Sequence, residues 1–119
     1  MKGWIGVDLD GTLAHYEKWV GPEHIGEPIP EMVERVRGWM AEGKEVRIFT
    51  SRVWPGDGIW PGENTKRRND AWLARSAIWH WCYTHLGRAL PVTHEKDPYM
   101  VELWDDRARR VETNTGRVL

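Results

Sequence analysis

The sequence predicts an α/β fold: one Rossmann-like domain with a mostly parallel sheet in three layers. Three observations carry this. Short apolar runs of strand length alternate with longer segments of helical period, which implies parallel strands joined by right-handed crossovers. The main runs end in polar or acidic clusters, where open α/β sheets place their sites. The length, 119 residues, suits a single unit over 1–119.

The elements follow in order. Residues 3–9, Gly-Trp-Ile-Gly-Val-Asp-Leu, read as a buried strand that breaks into the turn Asp8-Leu9-Asp10-Gly11-Thr12. From Ala14 to Pro30, Gly21-Pro22, Gly26 and Pro28 punctuate a stretch without helical period, a surface loop or small hairpin. Pro30 suits the first position of a helix whose core side is Met32/Val33, Val36 and Trp39/Met40, and Gly43 ends it. Lys44–Phe49 is the second strand and delivers Thr50-Ser51-Arg52. A near-repeat, Trp54-Pro55-Gly56-Asp57 and Trp60-Pro61-Gly62-Glu63, makes a stiff loop presenting two indoles. A long helix from about Thr65 to Leu86 carries Trp72/Leu73, Ala77/Ile78 and Trp81/Cys82 as its apolar seam. Ala89–Thr93 and Met100–Trp104 are the third and fourth strands. The tail, Val111–Leu119, forms an edge strand or hairpin around Thr113-Asn114-Thr115-Gly116.

Composition narrows the function classes. One cysteine, Cys82, excludes an intramolecular disulfide framework and a multi-cysteine zinc site, and fits a reducing, cytoplasmic setting. No apolar run approaches the ~20 residues of a membrane span, and Met1-Lys2-Gly3-Trp4 runs straight into the first strand, so neither a span nor a cleavable signal is expected. A net charge of −1 gives no global field toward nucleic acid or membrane, though it leaves room for a local basic patch. Nine Trp against one Phe point to indoles in the core and at its polar edge.

The chemistry lies at the strand ends. Asp8 and Asp10 are two apart and project to one side of an extended backbone, where two carboxylates repel unless a cation intervenes. Asp105 and Asp106 add two more at the end of another strand. Four acids converging with one lysine suit Mg²⁺, which prefers carboxylates and water and bridges to phosphate. Thr50, with a hydroxyl and an exposed N–H, and Lys96, with a point charge, suit the oxygens of a phosphoryl group. Arg52, next to the Thr50 strand end, is a further candidate for substrate phosphate.

Asp8-Leu9-Asp10-Gly11-Thr12-Leu13, Ile48-Phe49-Thr50-Ser51-Arg52, Lys96, and Leu103-Trp104-Asp105-Asp106 together resemble the four motifs of the haloacid dehalogenase (HAD) superfamily, in its small phosphatase branch. The resemblance spans residues 4 to about 111. It implies that Asp8 is the nucleophile of an aspartyl-phosphate, and that Asp10 is the general acid and then base. It implies Mg²⁺ on Asp8, on the backbone carbonyl of Asp10 and on Asp105, with Asp106 assisting directly or through water. Thr50 and Lys96 would anchor the phosphoryl group. The acid at Asp10 favours a phosphatase over a dehalogenase. The intervals from Thr12 to Thr50 and from Thr50 to Lys96 are taken up by loops, helices and one strand. They leave no room for the cap domain that larger relatives insert.

An open site points to a large substrate. Trp54 and Trp60 could stack bases while Lys66, Arg67 and Arg68 follow a backbone, so a nucleotide or nucleic-acid end is the expected partner. Arg107, Arg109 and Arg110 could extend that basic rim. The alternatives are a small phosphorylated metabolite shielded by loops 14–30 and 53–64 or by a homo-oligomer contact, and a HAD-like binding or regulatory module without turnover. A response-regulator receiver domain would need its acidic pair after the first strand and a lone Asp after the third, the reverse of the order here. His80, Cys82 and His85 do not form a metal site, since residues two apart on a helix face different ways. His15 and His94 read as local hydrogen-bond partners.

Overall fold

The structure, a computed structural model, describes residues 3–57 and 63–119. The strand β1 (Trp4–Val7) is buried along its whole length. The helix α1 (Pro30–Ala41) opens with Pro30, whose fixed φ suits the first turn. It closes where Gly43, at φ +78°, lets the Gly43 and Lys44 N–H groups turn back onto the Met40 and Trp39 carbonyls at 3.0 Å each. In β2 (Glu45–Phe49), Val46 and Ile48 alternate inward with half-buried neighbours. A short 3₁₀ turn at Ser51–Val53 follows, then α2 (Glu63–Leu86), β3 (Val92–Thr93) and β4 (Met100–Trp104).

The four strands form one all-parallel sheet in the order β3-β2-β1-β4. The chain steps from β1 through α1 to β2, then through α2 to β3, in one direction across the sheet. Right-handed crossovers then lay both helices on one face. Met32 and Val36 of α1 and Ile78, Trp81 and Cys82 of α2 share a single cluster with Ile5, Val7, Val46, Ile48 and Val92. The third layer expected from the sequence has no helix among the described residues to form it. On the opposite face, the crossover from β3 to β4 covers Trp4: the indole N–H donates to Asp97 Oδ1 at 2.8 Å, and Arg47 stacks over the ring at 4.5 Å while reaching Asp97 Oδ2 at 3.3 Å. That indole N–H, more than the nearby Arg47, holds the Asp97 carboxyl below the usual range.

One expectation moves by a residue. The seam of α2 is Ala71, Ala74, Ile78, Trp81 and Cys82; Trp72 and Leu73, expected inside, are exposed, Trp72 by 69%. Small residues at 71 and 74 let the helix sit close to the sheet, and the large ring turns outward. The loop after Ala14 is a small paired excursion: His15 N–H donates to the Glu27 carbonyl, Ile29 N–H to Leu13, and Trp81 Nε1 to Gly26. The tail is a hairpin, with Val111 bridged to Val118. The described residues contain no inserted cap, and no described helix is long and apolar enough to cross a membrane.

Candidate active site

Register builds the site. Val7 pairs with Ile48 on one side and with Trp104 on the other. The next residues, Asp8, Phe49 and Asp105, therefore lie at one level, with Thr50 one step beyond. The Asp8 N–H still donates to the Trp104 carbonyl at 2.9 Å, and the Thr50 N–H to Thr93 at 2.9 Å, so both side chains hang from the last rungs of the ladder. Leu9 and Leu13, fully buried, flank the Asp10–Thr12 turn. At about 1.5–3 kcal/mol for each buried aliphatic side chain, they hold that turn in place.

Asp8, Asp105 and Asp106 come together: one carboxylate oxygen from each lies within 4.8 Å of the others. Burial, the hydrogen bond with Asp106 and the charge of Asp105 push the Asp8 carboxyl up to about 7, against a smaller opposing effect of the Thr12 hydroxyl. Thr12 is the hinge of the cluster. Its Oγ1 accepts the Asp106 N–H at 3.0 Å and lies 3.2 Å from both Asp8 Oδ2 and Asp106 Oδ1, donating to either. Gly11 permits the approach: it sits at φ +87°, and a Cβ there would stand 2.7 Å from Asp106 Oδ2. The Arg107 N–H donates to Asp105 Oδ1 at 2.8 Å and fixes the third carboxylate.

Asp10 has a different partner. Both its oxygens are taken by Arg52, with Nε on Oδ2 at 2.7 Å and Nη2 on Oδ1 at 2.9 Å, and the Arg52 side chain is 4% exposed. Arg52 Nη1 also reaches the Gly21 and Pro22 carbonyls at 3.4 and 3.3 Å, and the guanidinium lies 4.9 Å from the Trp19 ring. Its own N–H caps on Thr50 Oγ1 at 3.2 Å. That bond uses the threonine oxygen as acceptor and leaves its proton for a ligand.

These groups open on a cavity of about 500 Å³ lined by Asp8, Asp10, Thr50, Arg52, Asp105 and Asp106. Tyr16, Trp19, Arg67, Asp70 and Arg107 complete its wall. Six of the seven residues expected at the site are thus together. Lys96 is the correction. β3 is only two residues long, and the chain after it crosses back to start β4 beside Trp4, so Lys96 is carried away from the strand carboxyl ends. It lines a separate depression with Asp97, Met100 and Leu103. Arg52, expected on phosphate, is committed to Asp10 instead. The cations left on the cavity wall are Arg67 and Arg107. Arg67 stacks 5.1 Å from the Trp54 ring, and its buried Nε has no acceptor among the described residues. Trp60 and Gly58–Gly62 lie outside the described residues.

Thr12, Tyr16 and Trp19 carry roles that sequence reasoning did not assign. For Thr12 the signal was a hydroxyl four residues after Asp8 in a tight turn. For the two aromatics it was large rings in an otherwise Gly/Pro-rich loop. Elsewhere, Cys82 is buried, which pushes its thiol up to about 11. His15 and His94 pair with neighbouring Glu17 and Glu95 at 3.3 Å each. Among the described residues the acidic trio is the only grouping able to hold a metal.

No protein-family model matches the chain, and no curated protein matches it. Among solved structures it is similar to a conserved protein coded by a locus of Bacteroides thetaiotaomicron, with a TM-score of 0.53 and 21% identity over 91% of this chain and 78% of that one. At that identity the likeness speaks for the α/β fold alone.

Proposed function

We propose that the protein is a Mg²⁺-dependent, HAD-like phosphohydrolase that hydrolyses a phosphate monoester through an aspartyl-phosphate. The observation that carries this reading is the convergence of Asp8, Asp105 and Asp106 beside Asp10 and Thr50 in one open cavity. The donor set fits the metal: hard carboxylate oxygens alone, with burial first and the neighbouring acids second pushing Asp8 up to about 7 without a cation. Asp8, Asp105 and Asp106 would hold the ion, which supplies positive charge to the phosphoryl oxygens and keeps Asp8 ionised.

The chain's own residues then divide the work. An Asp8 oxygen attacks phosphorus as the ester P–O bond breaks, and Asp10, with one oxygen released from Arg52 and a proton taken up from solvent, gives the departing oxygen that proton. In the second half Asp10 takes a proton from water, the water oxygen attacks phosphorus, and the Asp8 carboxylate and inorganic phosphate separate. Arg52 fixes the rotamer of Asp10 through two hydrogen bonds. The Thr50 hydroxyl donates to a phosphoryl oxygen. Arg67 and Arg107 supply the cationic wall that Lys96 does not.

The test is turnover of a generic aryl phosphate with Mg²⁺, abolished by EDTA and restored by added Mg²⁺. Metal binding without turnover on any ester would make the chain a binding module instead.

A further inference from the structure

The helix α2 has an unexpected outer side. Trp72, Trp79 and Tyr83 are 69%, 43% and 68% exposed. Their spacing of seven and four residues sets them in one line about 16 Å long, opposite the buried seam. Three large rings left in water along one line mark a surface that meets something.

Charge says what. The helix α2 contains Lys66, Arg67, Arg68 and Arg75 against two acids, Glu63 at its first position and Asp70, with no acid from Ala71 to its end, in a chain whose net charge is −1. Asp70 is itself paired with Lys66 at 2.9 Å. Lys66, Arg67 and Arg68 cluster within the first two turns of α2, near the positive end of the helix dipole, where an anion would relieve them. That end of α2 also reaches the cavity, through Arg67. A second copy of the chain packed on the same line would set one cation-rich α2 against another. A polyanion with flat faces matches both features: its phosphates meet the cations and its bases meet the rings.

We infer that the substrate is the phosphorylated end of a single-stranded nucleic acid, with the terminal phosphate in the cavity and the following nucleotides held along Arg68, Trp72, Trp79 and Tyr83. The inference rests on the phosphomonoesterase reading for the terminal phosphate. The track itself stands on the helix. Trp19 and Tyr16, half-exposed on the cavity wall, offer further ring surface at the reacting end.

The probe is a labelled, phosphorylated single-stranded oligonucleotide of about ten nucleotides. Its Kd is measured by fluorescence anisotropy at low and moderate salt, and its kcat/KM is compared with that of the corresponding mononucleotide. Wild type should bind the strand with an affinity that falls steeply with salt. The Trp72→Ala/Tyr83→Ala variant, with its fold checked by circular dichroism, should bind at least about five-fold more weakly, the lower end of what one stacked base contributes. Its preference for the oligonucleotide over the mononucleotide should shrink toward one. Equal Kd values for wild type and variant, or turnover indifferent to chain length, overturn the inference. A sedimentation result in which the variant converts a dimer to a monomer without touching oligonucleotide binding overturns it in favour of an interface between copies. Ring-dependent strand binding with no turnover on any ester upholds the track and sinks the phosphatase reading alone.

Discussion

Asp8 and Asp10 are the same residue type two positions apart and line one cavity, yet they belong to walls of different chemistry. Asp8 belongs to an acidic wall with Asp105 and Asp106, where burial, reinforced by the two neighbouring acids, raises its carboxyl to about 7. Asp10 belongs to a guanidinium wall, with both oxygens bonded to a nearly buried Arg52 that also touches Trp19 and the Gly21–Pro22 carbonyls. The sheet makes the first wall, because β1 and β4 are adjacent and in register. The second wall is made by the turn after β2 together with the loop after Ala14. The acidic wall is built to take a cation, and the guanidinium wall already contains one.

The largest effect expected from breaking this comparison is on turnover. Asp8→Asn should lower kcat to below about a thousandth of wild type on every phosphate ester, with the fold intact. Asp10→Asn should be selective. It should cripple hydrolysis of alkyl phosphates, whose leaving oxygen needs a proton, and spare more of the activity on p-nitrophenyl phosphate, whose leaving group does not. Equal losses on both esters would show that the two aspartates are not divided as their walls suggest.

The acidic wall was legible in the sequence because strand ends are: an apolar run with an Asp-x-Asp turn and a second run ending in Asp-Asp can be placed by period, and open parallel sheets gather their sites at those ends. The guanidinium wall was less so. Arg52 was seen as a site residue, but its partner lies 42 positions away, and only the closed fold shows that Asp10 claims it. Lys96 misled for a related reason. Strand β3 stops after two residues, and nothing local in Ala89–Thr93 says so. Trp72 misled because a helical seam can rotate by one residue when alanines are available to pack. The third layer was beyond the sequence's reach: strand order decides on which face a crossover falls, and one sequence does not state strand order.

Next in size is the clamp itself. Arg52→Met leaves Asp10 without its partner, and breaking a buried ion pair from one side costs about 3–5 kcal/mol. Asp10 keeps about a fifth of its side chain in solvent, so the loss should fall near 3 kcal/mol in urea denaturation. Arg52→Met/Asp10→Asn should lose less than the sum of the single variants. Strict additivity would mean the two groups are neighbours without being coupled. A smaller effect tests the other wall: Asp105→Asn should raise the Mg²⁺ concentration for half-maximal activity at least about ten-fold, with kcat at saturating metal largely recovered. An unchanged metal requirement would remove Asp105 from the ligand set.

The smallest effect is a pH dependence of stability that belongs to the acidic wall. In the unfolded chain Asp8 titrates near 3.8, and in the folded, metal-free protein near 7. Well below pH 3.8 both states hold the proton, and the shift changes nothing. Between those values the folded protein keeps a proton that the unfolded chain has released. Unfolding then liberates a proton, and stability falls as pH rises through the window. Above about 7 both states are ionised and the decline from this group ends. Thermal midpoints in EDTA from about pH 4.5 to 7.5 should therefore drop more for wild type than for Asp8→Asn, in which every other titrating group is retained. Added Mg²⁺ should reverse the drop, and its stabilising shift should grow with pH because the ion competes with the proton for the same carboxylate. Parallel curves for wild type and Asp8→Asn would mean that the acidic wall is solvated enough to relieve its own crowding.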